Sequence, residues 1–128
     1  MLLCGSINTQ IRGGYILDNC LFCRILAKEV PSDMVYEDDK IYAFRDIYPK
    51  APTHVLVIPR EHIDSFKSLE PKHASLVAHI TLALPKIAES LGLEGFRTII
   101  NTGEAGGQEV FHLHYHILGN AQGKLPGF

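Results

Sequence analysis

Residues 106–120 read GGQEVFHLHYHILGN. His112, His114 and His116 alternate with Leu113 and Tyr115, and Phe111 and Ile117 extend the alternation at either end. A period of two marks a strand, because successive side chains leave opposite faces of a pleated backbone. The run predicts a strand over EVFHLHYHIL (109–118) with three imidazoles on one face. Phe111, Leu113, Tyr115 and Ile117 form the other face, which must be buried against a helix. Neighbouring imidazoles on such a face are spaced at roughly 6.5–7 Å. Such a row can supply a nucleophile with a helper on each side, or some of the ligands of a metal. A half-buried strand with a polar histidine face is the plain alternative. Histidine supplies only 7 of 128 residues, however, so composition does not account for three in register.

The loop before this run carries Gly103, Gly106 and Gly107. Glycines let a backbone approach a ligand closely and turn N–H groups toward an anion. Beside imidazoles, that arrangement suits a phosphate. A flexible hairpin loop is the reading for the glycines alone.

Working outward, FRTIIN (96–101) reads as a strand. The longest helix is expected over about residues 71–91, where Leu76, Ile80, Leu84, Ile87 and Leu91 recur at spacings of three and four. Pro85 should kink it and Gly92 should end it. HVLVIP (54–59) is a continuous apolar strand, buried on both faces. MVYEDD and KIYAFRDI form a hairpin split at Asp38-Asp39. YPKAPT is a loop, because its two prolines cannot both join a ladder. EHIDSFKSL is expected to hold a short helical turn. A first helix runs through CLFCRILAKE, capped by Asp18 or Asn19 and stopped by Pro31. Residues 1–17 read as a loose leader, too polar after Cys4 for a signal peptide. The order of elements argues for one α+β domain over residues 18–128, with a mainly antiparallel sheet of about five strands, one long helix and one short helix.

The bulk properties narrow the function. The chain holds 12 basic and 14 acidic residues, for a formal net charge of −2, and no basic run. Nucleic acid is therefore not an expected partner. No apolar run approaches the roughly 20 residues of a membrane helix. Three cysteines argue against a disulfide framework and for a reducing, cytoplasmic setting.

The signature HLHYHIL resembles that of the histidine triad family. The resemblance extends to DNCLFCRILAKEVPSDMVYEDD, AFRDIYPKAPTHVLVIPREHI and NTGEAGGQEVFHLHYHILG, about residues 18 to 119. These stretches look like the Hint-like branch, the nucleoside phosphoramidases. Leu118-Gly119 stands where fragile-histidine-type hydrolases continue with Pro-Arg. His116 stands where nucleotidyl transferases have Gln.

The resemblance implies a two-step hydrolysis of purine nucleoside 5′-phosphoramidates. His114 would be the nucleophile, His112 and His116 would flank the phosphate, and His54 would support the triad. Asp46 would accept the ribose hydroxyls. Phe44, Leu21, Phe22, Ile25 and Ile47 would wall the base of an AMP-like nucleotide. Asn101 and the backbone around Gly107 and Gln108 would lie at the phosphate. Glu109 departs from a serine of the vertebrate pattern, and its role is open. The tail after Gly119 is weakly matched, which leaves leaving-group preference open. A homodimer is also implied.

Cys20 and Cys23 form a CxxC pair with three readings: a redox pair, metal ligands, or small buried residues. No thioredoxin-like strand precedes it, which weighs against redox. Zinc needs two more ligands of N or S type. In zinc-bearing relatives these come from positions matching His62 and His112, making a structural zinc site. Two other functions compete with the hydrolase. One is an enzyme whose HxHxH row itself binds a catalytic metal. The other is a non-catalytic nucleotide-binding regulatory module.

Overall fold

The computed structural model describes residues 19–127 and, for the backbone alone, residues 7–11 and 14–17. Within the segment expected to be a loose leader, β1 (Ile7–Ile11) and β2 (Gly14–Leu17) pair as an antiparallel hairpin. Helix α1 (Leu21–Leu26) follows. Strands β3 (Met34–Glu37), β4 (Ile41–Arg45) and β5 (Thr53–Pro59) come next. Then come helix α2 (Ala74–Ser90) and strands β6 (Arg97–Ile99) and β7 (Tyr115–Gly119). β3–β7 form one sheet in the order β3-β4-β5-β7-β6, with every neighbouring pair antiparallel. The expected α+β architecture is the one observed.

Alternation along the central strands sorts side chains into two layers. Ile41, Ala43, Val55, Val57, Tyr115 and Ile117 face α2, where Ile80, Ala83, Leu84 and Ile87 complete one core. Tyr42, Phe44, Leu56 and Ile58 face the other way and pack with Cys20, Phe22, Cys23, Ile25 and Leu26 of the α1 region. HVLVIP is thus buried on both faces, as its unbroken apolar run predicts. Gly119, at the end of β7, touches Leu93 so closely that a Cβ there would lie 2.6 Å from Leu93 Cδ1. No helix among the described residues is long and apolar enough to cross a membrane.

Three local expectations need correction. Cys20, not Asn19, caps α1: its Sγ accepts the Cys23 N–H at 3.5 Å. Asp18, the other expected cap, lies outside the described residues. The helix also stops at Leu26, well before Pro31, because the chain turns through Lys28 at φ 65°. Finally, the last strand is shorter than its alternation suggests. Its ladder begins at Tyr115, and Leu113 N–H bonds instead to Ile63 O, beyond the end of β5. His112 and His114 therefore precede β7, although Leu113 still points into the core. The segment 71–91 is a 3-10 turn at Pro71–His73 followed by α2, with Pro85 inside the helix.

Candidate functional site

The histidine face of β7 looks toward α1. In the register, Phe44 pairs with Leu56 and Leu56 with His116, so one row across three strands runs from an aromatic wall to an imidazole. His54 is diagonal to His116, on the same face of β5. His114 sits one step beyond the strand, with its ring 5.1 Å from that of His116 and 5.1 Å from that of Phe22.

The hydrogen bonds determine where each imidazole carries its proton. Lys50 N–H donates to His54 Nδ1 at 2.9 Å, which leaves the hydrogen of a neutral His54 on Nε2. That N–H donates to His116 Nδ1 at 2.8 Å. His116 must then carry its own hydrogen on Nε2, which is buried and without a hydrogen-bond partner among the described residues. His114 Nδ1–H donates to the His112 carbonyl at 2.7 Å, so the lone pair of His114 lies on Nε2. An unpartnered donor on His116 thus stands beside an unprotonated nitrogen on His114.

Burial lowers the pKa of all three rings. At His116 burial is reinforced by His114 and His54, and the value falls to about 4. At His114 burial outweighs the hydrogen bond to the His112 carbonyl. At His54 burial outweighs the attraction of Asp46. Neutral imidazoles are the form that a nucleophile and a directed donor both need.

Asp46 lies beside this chain. Its Oδ1 accepts Tyr48 N–H at 2.8 Å, closing the turn after β4, and its Oδ2 is 3.5 Å from His54 Nε2. Phe22, Phe44 and Ile25 are buried, with Phe22 edge-on to Phe44 at 5.5 Å. Leu21 is 43 % exposed and Ile47 80 % exposed, so these two stand at the rim. A side chain at Gly107, which has φ 92°, would meet the amide group of Asn101.

In the glycine loop before the histidine run, two backbone amides are taken up within the loop itself. Gly107 N–H bonds to Glu104 O and Gln108 N–H to Gly103 O, so both amides are used in closing the loop. The buried Gln108 side chain is a brace. It accepts Gly103 N–H at 2.8 Å and donates to Asp64 O and Val110 O. The next N–H, that of Glu109, has no partner among the described residues, and its side chain is exposed.

Below His114, a second cluster brings together Cys20, Cys23, His62 and His112, whose ligand atoms all lie within 4.8 Å of one another. Cys23 Sγ is 3.2 Å from His62 Nδ1, and His112 Nδ1 is 3.6 Å from both sulfurs. The far nitrogens are engaged: His112 Nε2–H donates to Pro59 O and His62 Nε2–H to Asp64 Oδ1, each at 2.8 Å. Both Nδ1 lone pairs therefore point at the thiols. Two thiolates and two oriented imidazoles are a donor set that fits tetrahedral zinc. The three triad histidines, by contrast, do not share a focus, because His112 turns to the cysteines and His114 to a carbonyl. Asp46, His54 and His116 also converge, and the hydrogen-bond chain accounts for their approach.

Sequence reasoning missed three contributors: Asp64, the Pro59 carbonyl and the Lys50 amide. Only Asp64, two residues after His62, has a side chain that could have signalled its role.

Comparisons with known proteins bear on the whole site. Residues 19–125 match the family model described as "Scavenger mRNA decapping enzyme C-term binding". The protein HitA of Neisseria gonorrhoeae is 53 % identical over 104 residues, covering 80 % of this chain and 97 % of the relative. A purine nucleoside phosphoramidase of Escherichia coli K12 is 43 % identical over 104 residues, covering 80 % of this chain and 87 % of the relative. Among solved structures, a histidine triad protein from Clostridium difficile superposes with a TM-score of 0.81 at 48 % identity, covering 87 % of this chain and 96 % of that one. A HIT family hydrolase from Legionella pneumophila gives 0.77 at 46 % identity, covering 79 % and 92 %.

Proposed function

The chain belongs to the histidine triad family, and from that premise we propose that it hydrolyses the P–N bond of purine nucleoside 5′-phosphoramidates. The observation that carries this reading is the pairing of a bare His114 Nε2 with an unpartnered His116 Nε2–H.

In the proposed reaction, His114 Nε2 attacks the α-phosphorus and the P–N bond breaks. The nitrogen leaves as an amine after taking a proton. Water then hydrolyses the nucleotidyl-histidine, releasing the nucleoside monophosphate and restoring His114. His116 Nε2–H donates to a phosphate oxygen as charge builds there, a role suited to a donor held in place beforehand. His54 acts on His116 from behind and is a positioning residue. The free Glu109 N–H, rather than those of Gly107 and Gln108, supplies the backbone donor at the phosphate. Asp46 accepts the ribose hydroxyls, and the base lies against Phe22, Phe44 and Ile25, with Leu21 and Ile47 at the rim.

Cys20, Cys23, His62 and His112 would hold one structural zinc. Bound there, the metal supplies a cross-link between α1, the segment after β5 and the chain entering β7. Four protein ligands leave no open position for a catalytic water. The homodimer is supported by β6, one of the sheet's two edge strands, and by Leu82, which is 68 % exposed on α2. The odd cysteine count supports a cytoplasmic setting.

The test is incubation with adenosine 5′-phosphoramidate while AMP is followed. AMP released at a rate no greater than in buffer would overturn the reading.

A further inference from the structure

Helix α1 links the cysteine cluster to the nucleotide site. It is six residues long and capped by one cysteine of the CxxC pair, with the other on its first turn. Between them lies Phe22, whose ring is edge-on to His112 at 6.0 Å and to His114 at 5.1 Å. His112 in turn faces both sulfurs with its ring and holds the His114 ring through its carbonyl. Any change in bonding at the two sulfurs therefore reaches His114 by two routes. One runs through the His112 backbone and the other through the Phe22 ring.

We propose that Cys20 and Cys23 form a redox-active dithiol whose oxidation to a disulfide by peroxide releases His62 and His112 and turns off the nucleotide site. The two sulfurs lie within 4.8 Å of each other, and no disulfide joins them. One thiolate attacks the O–O bond of the peroxide, forming a sulfenic acid and a hydroxide that is protonated to water. The second thiolate displaces the hydroxyl from that sulfur, the S–S bond forms, and a second water leaves. Two thiols and one peroxide give one disulfide and two waters. Where zinc is held, two protons from solvent replace it in this balance and it leaves as the dication.

Both sulfurs are buried, so the oxidant gains access when α1 opens locally. A six-residue helix is far below the length that sustains itself in water, and its stability comes from packing alone. A disulfide sulfur is no longer a thiolate ligand, so His112 Nδ1 loses both partners. Misplacing a nucleophile by about 1 Å can cost roughly a hundredfold in rate. A fall of at least tenfold in turnover is expected.

The effect on turnover rests on the phosphoramidase reading, whereas formation of the disulfide does not. The experiment uses the full chain carrying Cys4→Ser, with and without zinc, titrated with hydrogen peroxide. The expected product has lost two hydrogens by intact mass, within the one tryptic peptide that contains both cysteines. One zinc per disulfide should appear with a chromogenic chelator. AMP binding by calorimetry and turnover should fall together and return with dithiothreitol. A Cys23→Ser version should show neither the mass loss nor the reversible fall. Added oxygen atoms in place of lost hydrogens, or a disulfide that leaves AMP binding and turnover unchanged, would overturn the proposal. If no phosphoramidate is cleaved by the untreated protein, mass, zinc release and AMP affinity still decide it.

Discussion

His54 Nε2 and His116 Nδ1 lie 2.8 Å apart, and only one of these two nitrogens can carry the hydrogen between them. The Lys50 amide, donating to the other side of His54, decides which. Protonating either ring would set N–H against N–H at one end or the other of this chain. Burial first, and then the neighbouring His114 and His54, hold the pKa of His116 down at about 4. From 6.5 down to that value the unfolded chain binds more protons than the folded one at this position, so stability is lost as pH falls through that window and is level above it. Urea midpoints measured from pH 4 to 8 should show this fall. His116→Asn keeps an acceptor in the Nδ1 position and should flatten the curve. An equally steep curve in the variant would remove His116 from the account.

His114 supplies the nucleophilic nitrogen in the proposed reaction. His114→Ala should reduce phosphoramidate turnover by on the order of 10³-fold or more while AMP still binds. Steady-state rates with calorimetric AMP titration separate the two effects. Near-normal turnover in the variant would rule out a covalent route through His114.

Asp46 Oδ1 closes a turn on Tyr48 N–H, while in the proposed site the carboxylate charge meets the ribose hydroxyls. Asp46→Asn keeps the turn acceptor and removes the charge. Ribonucleotide binding should weaken by roughly 1.5–3 kcal/mol, the range for a hydrogen bond to a charged group. Binding of the 2′-deoxy analogue should change less. Titrating both nucleotides against both proteins checks this, and an unchanged ribo-to-deoxy ratio would take Asp46 out of the site.

How far the site was legible in the sequence depended on which group acts. In the proposed site His114 and His116 act through their side chains, and the period of two puts Leu113, Tyr115 and Ile117 on the opposite face, where all three are buried. The ladder itself ended early because β5 ends at Pro59, and the hydrogen bond of Leu113 goes to Ile63 instead. Cys20 as a helix cap was not legible, since a thiol is outside the usual capping set of Ser, Thr, Asp and Asn. Which amide around Gly107 and Gln108 stays open is not legible, because glycine signals conformational freedom without saying which way an N–H turns. The proton positions on His54 and His116 depend on the Lys50 backbone, which no side-chain pattern encodes.

Assembly should follow from the edge position of β6 in the sheet and from the exposed Leu82 on α2. An edge strand and an exposed apolar side chain favour pairing across a two-fold axis. Light scattering at micromolar concentration should give twice the chain mass of 14.2 kDa. A mass equal to one chain would contradict the homodimer. Leu82→Glu should shift the protein toward that single-chain mass.

The zinc reading is tested by composition and by stability. Protein purified without chelator should carry up to one zinc per chain, because Cys20, Cys23, His62 and His112 converge and the two imidazoles are already oriented by Pro59 O and Asp64. Binding to the folded state alone stabilises it, so chelation should lower the melting temperature. Cys20→Ser should lose the metal and melt earlier for that reason, since serine can still cap α1 but supplies no thiolate. Turnover should fall less than in His114→Ala, because the metal is expected to brace His112 and to perform no chemistry. Elemental analysis without zinc after incubation with a zinc salt would leave the four residues as a metal-free buried cluster. Complete loss of turnover on chelation, in protein that remains folded by circular dichroism, would instead favour a metal-dependent reaction.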